Sequence, residues 1–320
     1  MDIALVVVSD DSSSAPARTQ AQHTVSALAA ARPETRFAFT ASGTARSLGP
    51  GTARNRGLHR LVEDGTSHDA VLMFDDDISF ADCAYQGRIF QSDGAPLLRE
   101  AAAISPGSRM VLGCGYRGRQ DLALLDHIGL SRLTPGAVGL APSCERVDVS
   151  NEAPGGITGA FLFVACRANE IPAFPVGYNE DYFWLRRMAR DGWDLRRSRF
   201  SLVHAPREGL EVSLAHLKFE QHGETLWCAA HDIARDPPMS ELLERVRTSL
   251  SDRIAELDEA RERLQQDQVQ EGPRLAATAL RRTAAYLRRL RRTVEAHSVI
   301  GGPVPPIAAE LQQVAAYCGK

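Results

Sequence analysis

Residues 71–80 read VLMFDDDISF, an apolar run that ends on three adjacent carboxylates, Asp75, Asp76 and Asp77. A short continuous apolar run is the pattern of a strand buried on both faces. Three carboxylates at its end repel one another, and a bound cation is the simplest reason for a chain to keep them there. The same grammar runs upstream. IALVVV at 3–8 is a buried strand leading into the polar run SDDSSS, and a helix is expected from about Thr19 to Ala31. RFAFTASG at 36–43 is a second strand, and TARNRGLHRLVEDG at 52–65 is a helix closing near Gly65. Strands alternating with helices at this spacing predict an α/β fold with a mostly parallel, Rossmann-like sheet flanked by helices. Such sheets take ligands beyond the carboxyl ends of their strands, where Asp10, Asp11 and the triple aspartate all fall.

Further along, RMVLGCGY (109–116) and GAFLFVAC (159–166) are strand candidates, NEDYFWLRRMARDGW (179–193) is a helix opened by acids, and DLRRSRFSLVHAP (194–206) carries a last strand ending at His204. A catalytic domain is expected over 1–235 and a helical C-terminal extension over 236–320. In the extension Leu243, Leu250, Leu257 and Leu264 recur every seventh residue, supported by Val246 and Ile254. EGP at 271–273 interrupts this helix. A second one then sets Leu280, Ala284, Leu287 and Val294 on one side, with Arg281, Arg282, Arg288, Arg289, Arg291 and Arg292 around it.

The bulk numbers exclude some partners. Over 320 residues the formal net charge is only -3, which gives no general attraction to nucleic acid. Six scattered cysteines without a CxxC pair disfavour a zinc site and a disulfide framework, so reduced thiols are expected. The amino-terminal apolar run is too short for a signal peptide, and no later run reaches a membrane span, so a cytoplasmic location is expected.

ARNRGLHRLVEDGTSHDAVLMFDDDIS, followed at a suitable distance by GGITGAFLFVACRANEIPAFPVGYNEDYFWLRRMARDGWDL, resembles the nucleotide-sugar glycosyltransferases of the GT-A fold, especially the inverting family-2 type. The likeness covers roughly residues 3–206. An Arg-Asn-x-Gly helix start precedes a strand ending in an Asp-x-Asp metal motif, and a Gly-rich strand leads to a Glu-Asp pair at the start of a helix. The resemblance implies Mn²⁺ or Mg²⁺ held by Asp75, Asp77 and His204, and a nucleoside-diphosphate sugar, a UDP-sugar first, contacted by Ser9, Asp10, Arg54, Asn55 and Asp76. It implies Asp181 as the base with Glu180 beside it, and an acceptor lined by Gly156, Thr158, Tyr182 and Trp184. The metal would stabilise the departing diphosphate and the base would take the acceptor proton.

Each assignment has a plainer alternative. The acids of Glu180 and Asp181 suit the first turn of any helix, Asn55 suits a cap, and at least one ring of Tyr182, Phe183 and Trp184 belongs in the core. His216, His222 and His231 compete with His204. The chain also departs from the family pattern in SDDSSS after the first strand and in lacking an acid after the second. A nucleotidyltransferase on a related sheet and a catalytically silent sugar-binding or scaffold protein are the other functional readings. For the extension, packing on the catalytic domain or homodimer pairing stands against an arginine face lying on anionic lipid.

Overall fold

The computed structural model describes residues 5–10, 15–41, 49–65, 69–75, 78–85, 88–118, 157, 159–204, 214–266 and 271–319. They fall into two compact units. The first holds the described residues within Met1–Asp82, Gln91–Gly115 and Asp148–Val203, and the second those within Cys83–Phe90, Tyr116–Val147 and His204–Lys320.

The first unit opens with β1 (Leu5–Asp10), α1 (Ala15–Ala31) and β2 (Arg36–Ala41); β1 and β2 pair in parallel from Leu5 opposite Arg36 to Asp10 opposite Ala41. Then comes α2 (Pro50–Glu63). Gly49 precedes it at φ 89°, a conformation that favours glycine, and Pro50 occupies the first turn, where its missing N–H costs nothing. The chain continues through β3 (Val71–Phe74), β4 (Ile78–Ser79), a hairpin of β5 (Cys83–Tyr85) and β6 (Arg88–Phe90) that belongs to the second unit, then α3 (Gly94–Ala102), β7 (Met110–Gly118), β8 (Phe161–Val164), α4 (Glu180–Arg190) and β9 (Asp194–His204).

The α/β class is as expected, but the mostly parallel sheet is not what forms. Five strands lie in the order β3-β8-β7-β9-β4, and β8 runs antiparallel to both of its neighbours, with Val164 opposite both Val71 and Val111. Apolar periodicity reports burial and is the same for either strand direction. Alternation of strands and helices fixes direction only for strands joined by a crossover, and β8 inserts between two strands that precede it in the chain.

That insertion explains why Phe161, Leu162, Phe163 and Val164 are all buried. Around Leu162 and Val164 pack Leu58 of α2, Val71, Val111 and, from α4, Trp184, Leu185 and Met188. The polarity of α4 follows its dipole: Glu180 and Asp181 stand in the first turn, while Arg187 and Arg190 in the last turn pair with Asp191 at 3.2 and 2.9 Å.

The second unit is dominated by α5 (Leu214–Ala229), α6 (Met239–Gln266), α7 (Glu271–Ile300) and α8 (Pro306–Cys318). Asp258 meets Arg288, and Leu243 lines the same open cavity as Ser298 and Val299, so α6 and α7 run antiparallel. Their stripes are buried as the spacing predicts: Leu243, Val246, Leu250, Ile254 and Leu257 face Leu280, Ala284, Leu287 and Val294. The side chain of Leu264 lies outside the described residues. α5 packs on α6, α7 and α8, and all four helices fall in the same compact unit. The five described cysteines are free thiols. Among the described residues no helix is long and apolar enough to cross a membrane.

Leu250 sits fully buried at the α6–α7 seam. Leu250→Ala should therefore lower unfolding free energy by about 2–5 kcal/mol. Asp252→Ala, at an exposed position of the same turn, should stay within about 0.5 kcal/mol in urea titrations.

Candidate functional site

A buried guanidinium joins the two motifs that stand far apart in the sequence. Arg54, near the start of α2, directs Nη1 to Glu180 in an ion pair. Its Nη2 donates to Asp75 Oδ1 at 2.8 Å and to the Gly159 carbonyl at 3.0 Å. The Gly159 N–H in turn donates to Asp181 Oδ2 at 2.7 Å. The guanidinium also lies over the Phe174 ring, 5.4 Å from its centroid. Four segments thus meet: the head of α2, the end of β3, the turn before β8 and the head of α4.

Backbone geometry sets this up. The Asp75 N–H donates to the Ala160 carbonyl at 3.0 Å, extending the β3–β8 ladder by one step and bringing Asp75 beside Gly159. Asn179 takes the left-handed conformation, φ 63° and ψ 24°, at the entrance of α4, which turns Glu180 and Asp181 toward α2. Two glycines are required by space alone. A Cβ on Gly159 would lie 2.5 Å from Asp181 Cβ and 3.0 Å from Arg54 Nη1, and one on Gly51 would lie 2.6 Å from both Glu180 Cγ and the Pro175 carbonyl oxygen.

The electrostatics follow from burial. Desolvation alone would lower the Arg54 pKa, but Asp75, Glu180 and Asp181 outweigh it and hold the charge on. Burial, and then Asp181, push the Glu180 carboxyl up to about 8 against the pull of Arg54. With three carboxylates around one guanidinium the cluster carries surplus negative charge when ionised. The Asp75 side chain remains 37% exposed, against 4% for Glu180.

Several expected site residues have other partners. Arg54 meets carboxylates where a phosphate was expected. Asn55 grips the backbone of Phe174 from both ends of its amide, donating to the carbonyl at 2.8 Å and accepting from the N–H at 2.7 Å, which makes it a positioning residue. Ser9 donates its hydroxyl to the Ala53 carbonyl at 2.6 Å, and the Asp10 carbonyl accepts from Arg56 at 3.0 Å, so both tie β1 to α2. Trp184, expected at the acceptor, is 0% exposed: it stacks on Phe174 at 4.7 Å and donates its indole N–H to the Pro172 carbonyl at 2.8 Å. Tyr182 is half-buried on the same helix.

His204 is buried at the end of β9, its ring tilted 6.0 Å from that of Tyr116. His222 is engaged by Tyr286 and Glu310 in the helical unit. Asp76, Asp77, Gly156 and Thr158 lie outside the described residues. Among the described residues no group of three or more His, Cys, Asp or Glu side chains is arranged to hold a metal ion. Sequence reasoning missed Gly159 and Phe174. The glycine-rich run GGITGA pointed toward the first, and nothing marked the second.

No protein-family model, curated protein or solved structure matches this chain.

Removing the central charge should be costly. Arg54→Met leaves the Asp75 carboxylate, the buried Glu180 carboxyl and the Gly159 carbonyl without their shared donor and should lower stability by about 1–3 kcal/mol, read by urea unfolding near neutral pH. The raised Glu180 pKa means that the folded chain holds a proton which the unfolded chain, near 4.5, releases. The stabilisation from that proton is complete below about pH 4.5 and is lost as pH rises through about 8. Glu180→Gln should flatten that loss in unfolding curves across the same interval.

Proposed function

We propose that the chain is a metal-dependent glycosyltransferase of the GT-A type that moves a sugar from a nucleoside-diphosphate donor to an acceptor hydroxyl with inversion. The observation that carries this reading is the meeting of Asp75, Arg54 and the Glu180–Asp181 pair around one guanidinium. These residues belong to the two motifs on which the resemblance rests, and they are separated by more than a hundred positions between Asp75 and Glu180.

Carboxylate oxygen suits a hard divalent cation, and of the acids around Arg54 it is Asp75 that keeps a solvent-facing part. Asp75 and Asp77 would hold Mn²⁺ or Mg²⁺. Bound there, the ion would supply charge stabilisation to the leaving diphosphate. The protein's own groups do the rest. Arg54 holds one oxygen of Asp75 and thereby fixes the carboxylate's direction. The Gly159 N–H fixes Oδ2 of Asp181, leaving its other oxygen to receive the acceptor proton. As that proton moves to Asp181, the acceptor oxygen bonds to the anomeric carbon, and the carbon–oxygen bond to the diphosphate breaks with its electron pair leaving on the diphosphate. Glu180 is too buried to touch an acceptor and acts through Arg54 and Asp181.

Calorimetric titration of UDP, dTDP and GDP, with and without Mn²⁺, tests the reading. One diphosphate should bind only with metal and should fail to bind Asp77→Ala. Asp181→Asn should keep donor binding while donor turnover, followed as diphosphate release, falls by roughly a hundredfold or more. Wild-type turnover in Asp181→Asn would remove the base assignment, and no binding of any diphosphate would remove the donor site.

A further inference from the structure

The arginines of α7 whose side chains are described divide into two groups. Arg288 pairs with Asp258 of α6, and Arg291 lies 3.3 Å from Glu295. Arg281, Arg282, Arg289 and Arg292 are exposed, and among the described residues none forms an ion pair with them. Their placement is regular. Arg281, Ala285, Arg289, Arg292, Ala296 and Val299 are separated by 4, 4, 3, 4 and 3 positions and are all exposed, which sets them on one line along the helix, with Arg282 beside it. The line is roughly 27 Å long. Glu295 is the one carboxylate in the part of α7 whose side chains are described, and it faces Arg291.

An arginine row alone would suit any polyanion. The end of this row is different. Val299 is 85% exposed, and beyond the Gly301–Gly302 turn Val304 is 41% exposed. Apolar side chains held in water cost free energy that a phosphate backbone does not recover. A bilayer interface accommodates both parts, since headgroup phosphates meet guanidiniums and the acyl boundary takes the valines. Ala285 and Ala296 keep the face low between the arginines. A second helix docking through a heptad seam is the weaker fit, because the apolar stripe of α7 is already buried within the chain's own helices.

We infer that the outer face of α7, with the 299–304 turn, is a docking surface for an anionic lipid bilayer. The inference is independent of the proposed transfer reaction.

The test is co-sedimentation of the full chain with phosphatidylcholine vesicles, with and without phosphatidylglycerol, at low and high salt. Binding should require phosphatidylglycerol and weaken with salt. Replacing all four arginines by Gln should reduce it on the order of a hundredfold or more, each basic residue near the surface contributing a factor of about five. Val299→Asp with Val304→Asp should weaken vesicle binding severalfold and leave retention of a DNA duplex unchanged. Every replaced side chain is exposed, so melting curves should match the parent. Should the fourfold variant unfold, Arg281→Gln/Arg282→Gln and Arg289→Gln/Arg292→Gln are measured separately, each expected to lose about 25-fold. No binding to anionic vesicles at low salt, or full binding by the arginine variants, overturns the inference. So does a DNA duplex held as tightly as the vesicles with the valine changes affecting neither.

Discussion

A guanidinium that has left water must find acceptors for its donors, and in the first unit Arg54 meets that requirement by reaching from the head of α2 to the end of β3, the turn before β8 and the head of α4. A charge in such a place is tolerable only with its counter-charges in position, so the four segments depend on one another. The supporting contacts share this logic. Asn55 occupies the backbone groups of Phe174, Phe174 carries both the Arg54 guanidinium and the Trp184 ring, and Trp184 is tied to Pro172. Displacing any of these would move the floor on which Glu180 and Asp181 stand. Gly51 and Gly159 are needed for the same reason, since each lies where a methyl group would strike one of those acids.

What the amino-acid sequence made legible was local. β1, β2, β3, β8, β9, α2 and α4 are readable because each carries its own period and its own start or stop signal, such as Pro50 in the first turn of α2. α6 and α7 are readable for the same reason. Sheet direction was hidden, because Phe161–Val164 would look identical in a parallel sheet. The short α3 was hidden because its buried residues are only Gly94, Leu97 and Ala101, and α8, rich in alanine after GGPVPP, offers few charged positions to outline a face.

In the site, residue type was legible and partner was not. Asp75, Arg54, Glu180 and Asp181 were all marked, and the structure brings them together. Arg54 was expected to meet phosphate, however, and Asn55 and Trp184 to meet ligand. A spacing argument shows which residues share a face of a helix; it does not show that another segment will arrive to use them. The 172–179 segment, which claims Asn55 and Trp184, has no periodicity that would have announced it.

The helical unit shows how polar groups are sorted when apolar packing has already been provided. Gln221 is fully buried and accepts from both Nε and Nη2 of Arg253 at 3.1 and 3.0 Å, and Ser249 donates to the Thr225 carbonyl at 2.8 Å. His222 bridges Tyr286 at 3.0 Å and Glu310 at 2.6 Å, so one residue of α5 engages both α7 and α8. Leucines alone would pack in several registers, whereas a buried amide or a bridging imidazole is satisfied in one. Register is thus set by Gln221, His222, Arg253 and the Arg288–Asp258 pair. Arg281, Arg282, Arg289 and Arg292 make no ion pair within it among the described residues. Their exposed row therefore needs an explanation outside the bundle, and the two exposed valines at its end narrow what that surface is suited to meet.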